Sequence, residues 1–218
     1  MKRLFVFVIC YLFVFISFGQ DIELSSEKEV VLDSLYREDQ FYVGVTYNLL
    51  FNRPKNLSQS GFSGGLHLGF IRDMPINKRR NVAFGLGLGY SFNVYNMDVV
   101  GYDISRFTTH LVEAPFEFRW RTSVPETHKF YRIYTGIRMG YMHSLNPEFK
   151  KMDSSTLEQV KIEDLNRWRV GATFTFGWNT FNFSFYYSLN TLFGDNAMVE
   201  GEAIELNTAK VGLTFYIL

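Results

Sequence analysis

Large apolar side chains recur at every second position in eight stretches of the chain, the period of a strand with one apolar face. The first, near 41–51, sets Phe41, Val43, Val45, Tyr47, Leu49 and Phe51 against Tyr42, Gly44, Thr46 and Asn48. Near 64–73, Leu66, Leu68 and Phe70 oppose His67, Gly69 and Asp73. The third stretch, "VAFGLGLGYSF" (82–92), is the most lopsided, with Phe84, Leu86, Leu88, Tyr90 and Phe92 opposite Gly85, Gly87 and Gly89. Its G-x-G-x-G spacing opens no helix, so it is not a phosphate-cradling loop. Near 108–121, Val112, Ala114, Phe116, Phe118 and Trp120 oppose Glu113, Glu117, Arg119 and Arg121, with Pro115 a discord that predicts a bulge or break in the ladder. Near 130–144, Tyr131, Ile133, Ile137, Met139 and Tyr141 oppose Arg132, Tyr134, Gly136, Arg138 and Gly140. The last three stretches start near 167, 181 and 210, and their polar faces carry Arg167 and Arg169, then Asn182 and Ser184, then Lys210 and Gly212.

Alternation alone does not say whether the apolar face points into a soluble core or out to lipid. Connection lengths do. The links after strands two, four and six are short (74–80, 122–129 and 179–180), and those after one, three, five and seven are longer and polar, the longest being about 145–166. Short and long links in strict alternation, with an even strand count, predict an all-β fold: an eight-stranded antiparallel transmembrane β-barrel with short periplasmic turns and both termini periplasmic. Trp120, Tyr131, Trp178 and Phe181 fall beside the short turns, where an aromatic girdle is expected; Tyr47, Tyr90, Phe92 and Tyr141 lie toward the other rim. The large side chains then face lipid, and the glycines of 85–89 face an interior just wide enough for side chains.

The N-terminus changes the picture of location. Lys2 and Arg3 precede an apolar run over 4–18, and Ser17 and Gly19 place small residues three and one positions before Gln20. This predicts a secretory signal peptide, residues 1–19, cleaved between Gly19 and Gln20. The run is shorter than the roughly 20 residues that a spanning helix needs. Cys10, the single cysteine, lies inside it, so residues 20–218 have no disulfide or thiol chemistry. Without Lys2 and Arg3 there are 20 basic and 22 acidic residues, a formal net charge of −2, which leaves no basic footprint for nucleic acid. Aromatic content stands out, with 23 Phe, 13 Tyr and 3 Trp, yet no later apolar run reaches helix-spanning length. Any membrane crossing falls to strands.

The sharpest chemistry lies on the inner face. Glu113, Glu117, Arg119, Arg121, Arg132, Arg138, Arg167, Arg169 and Lys210 all project inward on these phases, and a hairpin near Pro125 sets Glu113 roughly opposite Arg138. Buried charges have to be paired. One reading is a salt-bridged plug that holds register and closes the pore; the other is a small polar channel or a site for an acidic peptide, since arginines outnumber carboxylates. Hydrolytic chemistry requires a histidine within reach of a serine and an orienting carboxylate. Ser105 and Asp103 lie near His110 in sequence, but His110 and His143 project outward, His128 sits in a turn and His67 faces inward. A triad needs mutual geometry that nearness in sequence does not supply, which leaves a lipid-modifying barrel enzyme as a distant alternative. No ligand cluster points to a metal, and no cofactor is implied.

Residues 20–40 carry seven carboxylates against Lys28 and Arg37 and read as an acidic periplasmic segment, either a solvated tail or a strap in which Val30, Val31, Leu32 and Leu35 bind a partner. The barrel is placed at 41–218, and the loop over 150–166 reads as mixed charge with a short helix near 156–165.

"LVEAPFEFRWRTS" (111–123) resembles a strand motif of Bacteroidota outer-membrane barrels in which a carboxylate and a proline sit as in L-E-I-P-L; Glu113 and Pro115 match and Ala114 replaces the usual branched residue. The stretches 33–50, 118–141 and 178–193 resemble more narrowly the PorT branch. That resemblance implies a noncatalytic outer-membrane component of type IX protein secretion, with an accessory, assembly or anchoring role. Its implied partners are outer-membrane lipid and periplasmic or outer-membrane protein subunits.

Overall fold

The computed structural model describes residues 39–54, 57–99, 102–122, 131–151, 165–194, 198–199, 202–203 and 205–217. Among these described residues eleven strands follow in order: β1 (Gln40–Phe51), β2 (Leu57–Gln59), β3 (Gly64–Pro75), β4 (Val82–Val99), β5 (Tyr102–Arg121), β6 (Tyr131–Lys151), β7 (Trp168–Trp178), β8 (Phe181–Ser188), β9 (Met198–Val199), β10 (Glu202–Ala203) and β11 (Asn207–Ile217). The eight long strands each run antiparallel to the next, β4 pairs with β5, and β11 returns to β1, so the sheet closes into an eight-stranded antiparallel barrel with no free edge. The short β2 adds to the upper end of β4, and β9 pairs with β10.

The period-two pattern decides which side is which. Phe41, Leu88, Tyr131, Phe181 and Phe183 are each more than half exposed on the outside, whereas Gln40, Asp73, Asn93 and Arg119 have no exposed surface. This inverts a soluble core and matches a strand set that alternates apolar-out and polar-in. Among the described residues no helix is long and apolar enough to cross a membrane.

The rim with short connections turns at 76–81 and at Asn179–Thr180, where Asn179 takes φ 55°, a left-handed conformation that asparagine tolerates. At the opposite rim the structure departs from the expected long loop after the third strand. The polar stretch continues as paired strand: β4 and β5 remain in register to Met97↔Ser105 and are joined through residues 100 and 101, while the β5–β6 ladder reaches Tyr102↔Lys151. The reason is alternation of another kind, because Tyr95, Met97 and Phe107 still point inward, into an apolar cap. Residues 145–151, expected in a loop, likewise belong to β6. The helix expected near 156–165 falls outside the described residues except for Leu165, which bridges to Phe193.

Pro115 produces a break and no bulge. The β4–β5 pairing stops between Leu86↔Phe116 and Gly89↔Glu113 and resumes in the same register, because a proline has no N–H to give to β4. The bulge lies further along, between His110 and Leu111, where β6 carries one extra residue. Its effect is to reset the phase of β6: Met142 is inside below it, while Pro147 is buried and Leu145 packs against the cap above it.

Candidate functional site

The barrel interior is filled in layers. Nearest the short-turn rim is a guanidinium and carboxylate network. Inward residues of β5 lie two apart, so Glu117, Arg119 and Arg121 form one column on the inner wall. Asp73 enters from β3, two strands away, and the strand between contributes Gly85, which sits opposite Asp73 on one side and Glu117 on the other. With no side chain there, Arg119 reaches across: its Nη1 lies 3.0 Å from Asp73 Oδ1 and its Nε 3.1 Å from Glu117 Oε2. A Cβ at Gly85 would stand 2.8 Å from Arg119 Nε. Arg121 Nη2 meets the other Asp73 oxygen at 2.8 Å, and its Nε donates to the Arg80 carbonyl at 2.9 Å. Gln40 Oε1 accepts from Arg119 Nη1 at 3.3 Å, and the Arg119 guanidinium lies 4.5 Å from the centre of the Tyr134 ring. Arg132 packs over Tyr216 at 5.7 Å.

The second layer centres on Glu113. Ser91 donates to its Oε1 at 2.9 Å, and Arg138 Nη1 lies 3.4 Å from Oε2, a diagonal contact because Arg138 is paired across the ladder with Pro115. His67 Nδ1 is 3.6 Å and Lys210 Nζ 3.9 Å from the same carboxylate. Lys210 also lies 4.9 Å from the centre of the Tyr186 ring. Beside this layer is a cavity of about 20 Å³ walled by Lys210, Arg138, His67 and several hydroxyl-bearing side chains. Above it Arg169 is buried and donates to the Thr191 carbonyl.

Leu50, Tyr95, Met97, Phe107, Leu111 and Met142 close the lumen at the far rim, covered by Leu192, Phe193 and Leu206. Among the described residues the polar network and the apolar cap fill the lumen at its two ends.

Of the nine charged residues expected inside, the structure brings Glu113, Glu117, Arg119, Arg121, Arg132, Arg138, Arg169 and Lys210 into the lumen. Arg167 is the correction. It has the inward parity of β7 but precedes the first residue of that strand, so it is exposed at the rim and points toward the carbonyls of Met142 and His143 at 3.5 Å. Asp73 was legible as an inward position but not as the acid that joins two arginines, because that role depends on the bare strand between. Trp120, Tyr131, Trp178 and Phe181 stand on the outer face beside the short turns, with Tyr131↔Trp178 and Trp178↔Phe181 direct cross-strand neighbours.

Among the described residues the histidines are divided between the two faces of the wall. Ser105 is buried on the inner face, whereas His110 is on the outer face with its Nδ1 2.8 Å from the Tyr90 hydroxyl and His143 beside them. The side chain of Asp103, His128 and the Gly19–Gln20 junction lie outside the described residues. Among the described residues no three His, Cys, Asp or Glu side chains are grouped to hold a metal.

Comparison with known proteins places these features. Residues 18–194 match the family described as outer membrane protein beta-barrel domain. No curated protein matches the chain. A closed eight-stranded barrel with an apolar exterior and a charged, filled interior, matched over most of its length, belongs to the outer membrane protein β-barrel domain family.

Proposed function

We propose that this outer-membrane barrel is a noncatalytic accessory of type IX protein secretion, which anchors or helps assemble the export machinery through contacts with other subunits. The observation that carries the reading is the filled lumen. With Asp73, Glu117 and three arginines at one end and an apolar cap at the other, the barrel has no room for cargo. Its contribution then falls to its surfaces. The resemblance of 33–50, 118–141 and 178–193 to the PorT branch supports the assignment to type IX export.

In this reading residues 1–19 are removed after Gly19, the short turns and both termini face the periplasm, and the acidic segment 20–40 is a strap for a periplasmic subunit. The β4–β5–β6 ribbon rises from the outer leaflet. The test is deletion of the gene in its host and comparison of the proteins in the medium with those of the parent. The expected result is that proteins bearing the type IX C-terminal signal domain leave the medium and accumulate in the periplasm. Unchanged secretion overturns the export reading and leaves a structural or adhesive surface barrel, for which the projecting ribbon is the relevant surface.

A further inference from the structure

We infer that the cavity beside Glu113 is a binding site for one monovalent halide ion, sequestered inside the barrel when it closes. Its wall is the first reason. Two cationic side chains, Lys210 and Arg138, and the ring of His67 line it together with the hydroxyls of Thr173, Thr175 and Ser184, and no carboxylate does. Hydroxyls can turn their hydrogens toward whatever accepts them, and ammonium and guanidinium groups only donate. Such a wall suits an acceptor and repels a metal cation.

Charge balance is the second reason. The acid nearest the cavity, Glu113, is already shared between Ser91, Arg138, His67 and Lys210, and the lysine is the most distant of the four at 3.9 Å. One negative charge therefore faces two positive ones among largely buried side chains. Arg169, on the same face of β7 as Thr173 and Thr175, adds a third buried cation met by a neutral carbonyl. Uncompensated buried charge is costly, and a single anion beside Lys210 offsets it.

Size selects the occupant. A volume of about 20 Å³ exceeds the roughly 10–15 Å³ required for one water, which leaves space for a single-atom ion.

The experiment is to refold the purified protein from urea into detergent micelles in sodium bromide, crystallise it and collect data at the bromine edge. The expected result is an anomalous peak in the cavity beside Lys210, together with a thermal midpoint several degrees higher after refolding in bromide or chloride than in sulfate at equal ionic strength. Lys210→Met should lose both the peak and the salt-type dependence. Should that variant fail to fold, Thr173→Val keeps every charge and should reduce the halide dependence of the midpoint. A cavity that holds only water, bromide peaks confined to the protein surface, or a midpoint indifferent to the anion overturns the inference.

Discussion

Asp73 is the residue on which the lower lumen turns. Both of its oxygens are taken by guanidinium groups, at 3.0 Å and 2.8 Å, and none of its side chain is exposed. Buried pairs of this kind are weak evidence for stability as built, yet removing one partner leaves charge stranded in low dielectric. Asp73→Asn is therefore expected to destabilise the barrel by about 3–5 kcal/mol, read as a lower urea midpoint for protein folded into lipid vesicles. Converting Arg119 to Met in the same chain should recover part of the loss, since neighbours in one network are not additive. Gly85 serves the same contact by its lack of a side chain. Gly85→Ala would press a methyl group against Arg119 and Ile71, both within 3.0 Å, and overpacking of this order costs about 1–3 kcal/mol. The same titration checks it, with Gly61, whose added Cβ would meet nothing nearer than 3.8 Å but whose φ of +65° disfavours alanine, as a contrast in which backbone and not packing is tested.

For the individual strand, position along the barrel axis sets what an outward side chain tolerates. Ile137 lies mid-strand on β6, exposed between Phe116 and Ala172, whereas Tyr131 begins the same strand beside Trp178. Arginine at the bilayer midplane of a barrel costs about 2–4 kcal/mol and near an interface about 0–1. Ile137→Arg should therefore destabilise the vesicle-folded protein far more than Tyr131→Arg, and equal effects would mean that the apolar belt is not where lipid sits. The existence of the eight strands was legible because period-two alternation survives in every one of them. Their ends were less so. The stretches 93–99, 102–107 and 145–151 are polar enough to read as loop, but pairing with a neighbour satisfies their backbone and an inward apolar residue at alternate positions ties them to the cap. The bulge at His110 and Leu111 was beyond reach for a related reason, since an extra residue is defined only against a partner strand. It is what turns Leu145 inward and puts His143 beside Tyr90.

For the molecule as a whole, the described residues set six cations and three carboxylates in the lumen below an apolar cap, an arrangement that favours a plug over a conduit. Reconstituted into planar bilayers the barrel is expected to give no porin-like conductance steps, and stable open steps would contradict the packing. Under the export reading, removal of residues 20–38 should abolish secretion while the remaining chain still folds, seen as a retained mobility shift between unheated and boiled samples on gels. Retained secretion would assign the partner contact to the opposite rim. The charged site was partly legible: eight inward charges follow from parity on strands β5, β6, β7 and β11. Which acid meets which base did not, since Asp73, Gly85 and Arg119 sit on three different strands and only closure of the sheet brings them together.

Read along the chain, alternation shows strands, an even number of them, bulk on one face and charge on the other, and a third long strand that is bare where its neighbours are large. These are local properties, carried by residues two apart. The tertiary structure decided the pairing of Asp73 with Arg119 and Arg121, the exclusion of Arg167 from the lumen, the phase reset in β6 and the apolar cap over the far rim. Each depends on how a strand ends or is set against its partners, which is decided when the strands pair and the barrel closes.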